Sequence, residues 1–351
     1  MAIEHNIYIH VPFCISKCNY CAFFSKATIS PDWESYTVGI CDEIDYWADK
    51  LGRINVPTIF FGGGTPSLMP VSIFNKIINH ISKKFNILPD CEITLESNPG
   101  TINEQKVDDF ITCGMNRLSV GVQSLNDDTL QFMGRRHDVQ TALNLLDIAK
   151  KKNIKLNADF IYGLPNQTTD DVIQMCKQIN DLGLNHISMY ELTIEPTTPF
   201  GKMNLNMPSN NTMADMYIAI GETLNLKRYE VSNYAAPNHT CRHNENIWNG
   251  DAYIGLGVGA AGRPYINNQW YEQTGGEIKL TPMDTKTRAT EKILTGLRTT
   301  RGVLLSDDVR AIISMDFIKQ NPYLININND RLSLTDKGML VLDSLLLELV
   351  K

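Results

Sequence analysis

Three thiols set the reading of this chain: Cys14, Cys18 and Cys21, spaced C-x3-C-x2-C within YIHVPFCISKCNYCAFF. Thiolates packed this closely on a loop suit a soft metal centre, either an iron–sulfur cluster or zinc. No fourth cysteine follows within reach, because position 23 is Phe. A structural zinc site takes four protein ligands and is one short here unless a remote residue completes it. A [4Fe–4S] cluster on three thiolates instead keeps one iron open to a small molecule, an arrangement suited to chemistry. The plain alternative is three small core residues, since free cysteine is common in cores but rarely in so tight a triplet.

Elements that could hold such a loop recur along the first two thirds of the chain. Strand-like runs are expected at Asn6–Val11, Thr58–Phe61, Glu92–Glu96, Arg117–Val122, Lys155–Ile161 and His186–Leu192. Helix-like stretches lie between them, at Pro31–Lys50, Val71–Phe85, Asn103–Thr112, Val139–Lys152 and Thr169–Leu182. Pro31-Asp32 and Thr169-Asp170 read as helix starts, and Gly114 and Gly183 as left-handed helix ends. Strands that alternate with helices imply a parallel sheet, and apolar runs such as TIFF suit burial on both faces. The expected fold is α/β, a partial (β/α)6 TIM-like barrel. Such barrels carry their chemistry at the C-terminal ends of the strands, where the cysteine loop falls.

Beyond Pro208 the pattern changes. A long helix is expected at Asn210–Leu226, then a Pro/Asn/Gly-rich stretch with little periodicity. Helices at Lys286–Thr299, Ser306–Ser314 and Asp336–Val350, with a hairpin at Tyr323–Leu334, suggest a small winged-helix-like unit. The expected domains are therefore 1–228, a loop-rich connecting segment at 229–281, and 282–351.

Bulk properties exclude several classes. A net charge of −7 and a pI near 5.5 argue against a nucleic-acid partner, which needs a basic surface. No apolar run approaches a membrane span of about 20 residues. Eight cysteines without a secretory signal point to the reducing cytoplasm and to metal ligation rather than disulfides.

Unusual residues close each expected strand. Gly62-Gly63-Gly64-Thr65-Pro66 follows the second, where glycines let the backbone approach a ligand. It lacks the G-K-[ST] ending of a P-loop, and a glycine run alone is most often a tight turn. Glu96-Ser97-Asn98-Pro99 follows the third, with Glu96 readable as a site carboxylate or a solvated acid. Gly121-Val122-Gln123-Ser124 and then Gly134-Arg135-Arg136-His137 follow the fourth. The fifth carries Asp159 in DFIYGLP, an acid among apolar neighbours that calls for hydrogen-bond partners.

In this order, YIHVPFC, FGGGTP, ESNP, VGVQS with GRRH, and DFIYGLP resemble the coproporphyrinogen III dehydrogenase-like branch of the radical S-adenosylmethionine (SAM) superfamily. The resemblance covers about the first 200 residues strongly. It implies that Cys14, Cys18 and Cys21 hold a [4Fe–4S] cluster whose open iron binds SAM. It implies that Tyr8, Tyr20, Gly63, Gly64, Thr65, Glu96, Gln123, Arg135 and Asp159 cradle SAM. In that superfamily the reduced cluster cleaves SAM to a 5′-deoxyadenosyl radical. A carboxylate suits ribose hydroxyls or an ammonium, and Arg135 suits a carboxylate.

Two members of the branch are to be separated. The dehydrogenase decarboxylates porphyrinogen propionates and characteristically has a fourth cysteine and a long N-terminal extension. Phe23 and the 13 residues before Cys14 depart from both features. The chain is more similar to the HemW-type haem chaperones, which deliver haem to acceptor proteins. That resemblance implies haem as a ligand, haem-accepting proteins as partners and a place in porphyrin metabolism, with a homodimer left open. Cys241-Arg242-His243-Asn244-Glu245-Asn246-Ile247-Trp248 resembles the family's R-H-N-x-x-Y-W stretch, with Ile247 in place of Tyr. Its His243, Cys241 and Trp248 are the candidate haem contacts, although a lone His is usually a satisfied surface or core residue. Ala261 stands where the family often has His. A radical SAM enzyme is the alternative reading, and a purely structural iron–sulfur or zinc protein a third.

Overall fold

The computed structural model describes residues 4–275 and 278–351. Six parallel strands form its centre: Asn6–Val11, Asn55–Gly63, Asn86–Ser97, Arg117–Gln123, Lys155–Tyr162 and His186–Glu191. They lie side by side in chain order, as strands linked by crossover helices do. The strand and helix positions expected from the sequence hold, with ends shifted by a few residues. Several strands run longer, because pairing continues past the apolar stretch that reveals them.

Alternation sorts each strand into two faces. Ile7, Ile9 and Val11 point outward with Ile59 and Phe61, and meet Ile40, Ile44, Trp47, Phe74 and Ile77 of the covering helices in one core. The opposite positions face into the barrel, where Tyr8 pairs with Phe60 and Glu96 with Ser119. Caps fix the helix starts: Asp32 accepts from the Ser35 N–H, and Thr168 and Asp171 form a reciprocal capping box. Gly114 and Gly183 hold left-handed φ values of 104° and 62°, as their places after helices require.

The segment expected to be loop-rich contributes to the sheet, and that expectation is corrected. Tyr253–Leu256 pairs parallel with Asn6–Ile9 at one edge. Asn233–Ala235 pairs antiparallel with His186–Ser188 near the other. These strands have four and three residues, too few for a periodic signal. The nine-stranded sheet is an open, partial barrel.

The C-terminal unit has its own core, with Ile293, Leu297, Val309, Ile313, Leu332 and Leu349 among its buried residues. Its hairpin, Ile325–Asn328 with Arg331–Leu334, turns through Asn329 and Asp330, both at positive φ, the geometry of a tight two-residue turn. The last expected helix is two, Asp336–Leu340 and Leu342–Leu349. Gly338 lies where a β-carbon would strike the Leu324 carbonyl, which seats the first piece. The chain then turns at Val341 so that Leu342, Leu345, Leu346 and Leu349 reach the core. Among the described residues no helix is long and apolar enough to cross a membrane.

Candidate cluster and cofactor site

The cysteine loop leaves the first strand at the C-terminal mouth of the barrel and is tied on both sides. Phe13–Cys14 pairs with Lys26–Ala27, and the Thr28 N–H donates to the Cys14 carbonyl at 2.8 Å. On the far side the Asn19 N–H donates to the Met133 carbonyl at 3.0 Å, and the Asn19 carbonyl accepts from Phe200 at 2.9 Å. A turn between them is closed by the Cys21 N–H on the Cys18 carbonyl at 3.2 Å.

All three thiols line one cavity of about 460 Å3, together with Tyr20, Gly63, Gly64, Thr65, Glu96, Gln123, Arg135 and Asp159. Tyr8 stands behind this wall. Its hydroxyl lies 3.1 Å from His10 Nδ1, and His10 Nε2 lies 2.7 Å from the Phe24 carbonyl. The first strand thereby holds the chain just past the cysteines. The glycines answer to close approach: Gly63 has φ 111°, and a β-carbon there would come within 2.6 Å of the His10 ring. At Gly64 a β-carbon would come within 2.7 Å of the Phe13 carbonyl oxygen. Gln123 is turned inward by a bulge after Gly121 and has φ 70°, strained for a residue with a side chain.

A chain of hydrogen bonds connects two of the sulfurs. Arg135 Nη1 donates to Cys18 Sγ at 3.5 Å, and Nη2 donates to Asn98 Oδ1 at 2.5 Å and to the Gly121 carbonyl at 2.7 Å. Asn98 Nδ2 donates to Thr65 Oγ1 at 2.9 Å, whose hydroxyl donates to Cys14 Sγ at 3.5 Å. A guanidinium and a hydroxyl aimed at sulfur are donors of the kind that orient sulfur ligands around a soft metal centre. Among the described residues no three or more His, Cys, Asp or Glu side chains are gathered to hold a single metal ion. The three cysteines line one cavity, and a three-thiol donor set is of the type that holds iron–sulfur clusters.

Two acids face each other across that lumen. Burial, then the Asp159 charge, pushes the Glu96 carboxyl up to about 8, while the Gly63 N–H on Glu96 Oε2 at 3.1 Å opposes this. Burial also raises Asp159, against hydrogen bonds from Asn157 at 2.7 Å and Ser119 at 3.3 Å. Two buried acids in a cavity that Arg135 also lines fit a zwitterionic ligand with hydroxyl groups.

The stretch around His243 lies at the other end of the barrel, and its three candidate haem contacts, Cys241, His243 and Trp248, stand in different surroundings there. Cys241 and Asn244 line the floor of the cavity, with Cys241 Sγ 3.6 Å from Glu92 Oε1. Burial pushes the Cys241 thiol up to about 12. His243 is 3% exposed, its Nδ1 lies 2.7 Å from Thr58 Oγ1, and its ring stacks on Phe60 at 5.0 Å. Burial lowers its pKa to about 4, so the imidazole is neutral, and its Nε2 is buried without a partner. Trp248 is half-buried and outside the cavity lining. Sequence reasoning passed over Arg117, His10, Asn98, Asn157 and His186, although the alternations R-x-S-x-G-x-Q and H-x-S-x-Y mark inward polar positions.

Comparison with known proteins places this architecture. Residues 8–179 match the Radical SAM superfamily. The chain is 38% identical over 263 residues to the heme chaperone HemW of Buchnera aphidicola subsp. Schizaphis graminum, covering 74% of this chain and 70% of that protein. It is 36% identical over 330 residues to HemW of Synechocystis, covering 84% and 78%, and 34% identical over 263 residues to that of Escherichia coli, covering 74% and 70%. This chain belongs to the HemW family of radical SAM proteins. Coproporphyrinogen III oxidase (HemN) from Escherichia coli matches 99% of this chain and 89% of its own with a TM-score of 0.81. At 20% identity that likeness speaks for the shared fold. Radical SAM membership implies a [4Fe–4S] cluster and SAM for this HemW-family chain.

Two expected results test the site. With a folded pKa near 8 against an ordinary value of about 4.3, Glu96 favours the ligand-free folded state most at acid pH. That contribution disappears as pH rises through the folded value. Between pH 7 and 9 the thermal midpoint of the SAM-free protein should therefore fall further than that of Glu96→Gln; parallel curves would reject the assignment. Arg135→Ala should weaken SAM binding by about ten- to hundred-fold, the loss of a charge-assisted contact of roughly 1.5–3 kcal/mol. Iron content should be retained, and an unchanged SAM Kd by equilibrium dialysis would give Arg135 another role.

Proposed function

We propose that this protein is a haem chaperone: it holds a [4Fe–4S] cluster on Cys14, Cys18 and Cys21, binds SAM exchangeably in the barrel, and delivers haem to acceptor proteins. The observation that carries this reading is the similarity to proteins named heme chaperone HemW, at 38% identity over 74% of the chain. Phe23 in place of a fourth cysteine agrees with it. When bound, a cluster of this superfamily supplies one electron to SAM. The chain's own part is positional. Thr65 and Arg135 donate to the sulfurs of Cys14 and Cys18, Glu96 and Asp159 receive the polar groups of SAM, and Phe60 and Ile161 keep apolar walls around the cavity.

The test runs two assays on one anaerobically reconstituted preparation. Haem should be bound and passed to an apo-acceptor, while coproporphyrinogen III should remain unconverted with SAM and reductant present. Vinyl-group formation with SAM consumption would establish the dehydrogenase reading in its place.

A further inference from the structure

A porphyrin carried by this chain needs a surface of its own, and the inference below rests on the haem reading just given. The barrel cavity of about 460 Å3 has the size of one drug-sized ligand, a place that SAM takes. His243 is closed off at the floor. At the rim, however, one surface is both apolar and open. Phe23 and Phe24, directly after the last cysteine of the triplet but for Ala22, are 67% and 58% exposed. Phe23 also lines the cavity, so the surface continues from the cluster side of the mouth. The Phe24 ring lies against Gly259, where a β-carbon would come within 2.8 Å of it, and neighbouring Val258 is 49% exposed. Adjacent large apolar side chains left in water mark a contact surface.

The rings sit on a tied loop. The Phe23 carbonyl accepts from Lys17 Nζ at 3.1 Å, and the Phe24 carbonyl lies 2.7 Å from His10 Nε2. Lys17 and Lys26, both exposed, put cations on this same loop in a chain of net charge −7. A ligand matched to this rim is flat, apolar on its face and anionic at its edge.

The geometry points to the rim as the haem site: the porphyrin face rests on Phe23, Phe24 and Val258, and the propionates reach Lys17 and Lys26. His10, which touches this loop, has both ring nitrogens engaged and supplies no axial ligand. Ring contact and charge hold the cargo, so metal-free protoporphyrin IX occupies the same site, and release needs no iron–imidazole bond to break. Aromatic packing against a porphyrin face is favourable whether or not iron occupies the ring.

The experiment titrates the full chain, reconstituted with cluster and SAM, with haem, protoporphyrin IX and protoporphyrin IX dimethyl ester. Haem and the metal-free acid should bind within about threefold of each other, and the ester at least about tenfold more weakly. The double variant F23S/F24S should bind haem and protoporphyrin IX at least about tenfold more weakly than the wild type, with iron content retained. Lys26→Glu should weaken the acids and spare the ester. If the wild type binds haem and F23S/F24S binds it equally well, the rim site is overturned and the carrier reading stands. Haem binding without protoporphyrin binding also overturns the rim site, since iron ligation would then hold the cargo. A wild type that binds no haem overturns the carrier reading itself.

Discussion

Cys14→Ala, Cys18→Ala and Cys21→Ala are each expected to abolish the iron–sulfur absorption of anaerobically reconstituted protein and its electron paramagnetic signal after reduction. The size of the effect follows from the donor set. Three thiols line the mouth of the cavity, and position 23, where a fourth could have stood, is an exposed Phe. Cys241, on the cavity floor beside Glu92, has its thiol pushed up to about 12 by burial, and a thiol held protonated is a poor ligand. Cys241→Ala should therefore leave the cluster signal at wild-type intensity. A full cluster in Cys18→Ala would remove the basis of the cofactor site, because Arg135 would then be aimed at a sulfur that holds no metal.

Arg117→Ala should produce the largest loss of stability. The side chain is 2% exposed, its Nε is buried without a hydrogen-bond partner, and its charge is balanced by Glu92 and Asp159 nearby. Removing it leaves buried carboxylates with less compensation, a change that costs about 3–5 kcal/mol in comparable buried networks. Thermal unfolding should show a Tm lower by roughly 5–10 °C for a domain of this size. Arg117→Lys keeps the charge and should lose less. A Tm within a degree of wild type for Arg117→Ala would mean that Lys155, 3.1 Å from Glu92, already balances the floor by itself.

Both results concern one axis of the molecule. The cluster loop closes the mouth of the barrel, Glu96 and Asp159 stand below it, and Arg117 with Glu92 lies towards the floor on which Cys241 and Asn244 rest. The mouth is also where Phe23 and Phe24 reach solvent. Cofactor and proposed cargo thus meet at one loop, whose position is set by His10, Asn19 and the short pairing of Phe13–Cys14 with Lys26–Ala27.

The sequence by itself determined the six parallel strands, their intervening helices and the face that carries the chemistry. Apolar alternation with period two and helical spacing record which side of each element is buried, and parallel strands leave their C-terminal ends on one side. The cysteine spacing named a soft metal centre for the same reason: ligand type and proximity are local properties. Partners across the chain were not local. Tyr253–Leu256 becomes a strand by pairing with Asn6–Ile9, and nothing in YIGL within a glycine-rich run announces that neighbour. His243 stood in the sequence as a candidate haem contact beside a thiol and a Trp, yet its surroundings were decided by Thr58, 185 positions away, and by Phe60 beneath its ring. Phe23 enters the sequence reading only as the residue in place of a fourth cysteine, and nothing local to Phe23 or Phe24 tells whether a core covers them. The folded chain left them exposed, on a loop held through its backbone by Lys17, His10 and the pairing of Phe13–Cys14 with Lys26–Ala27.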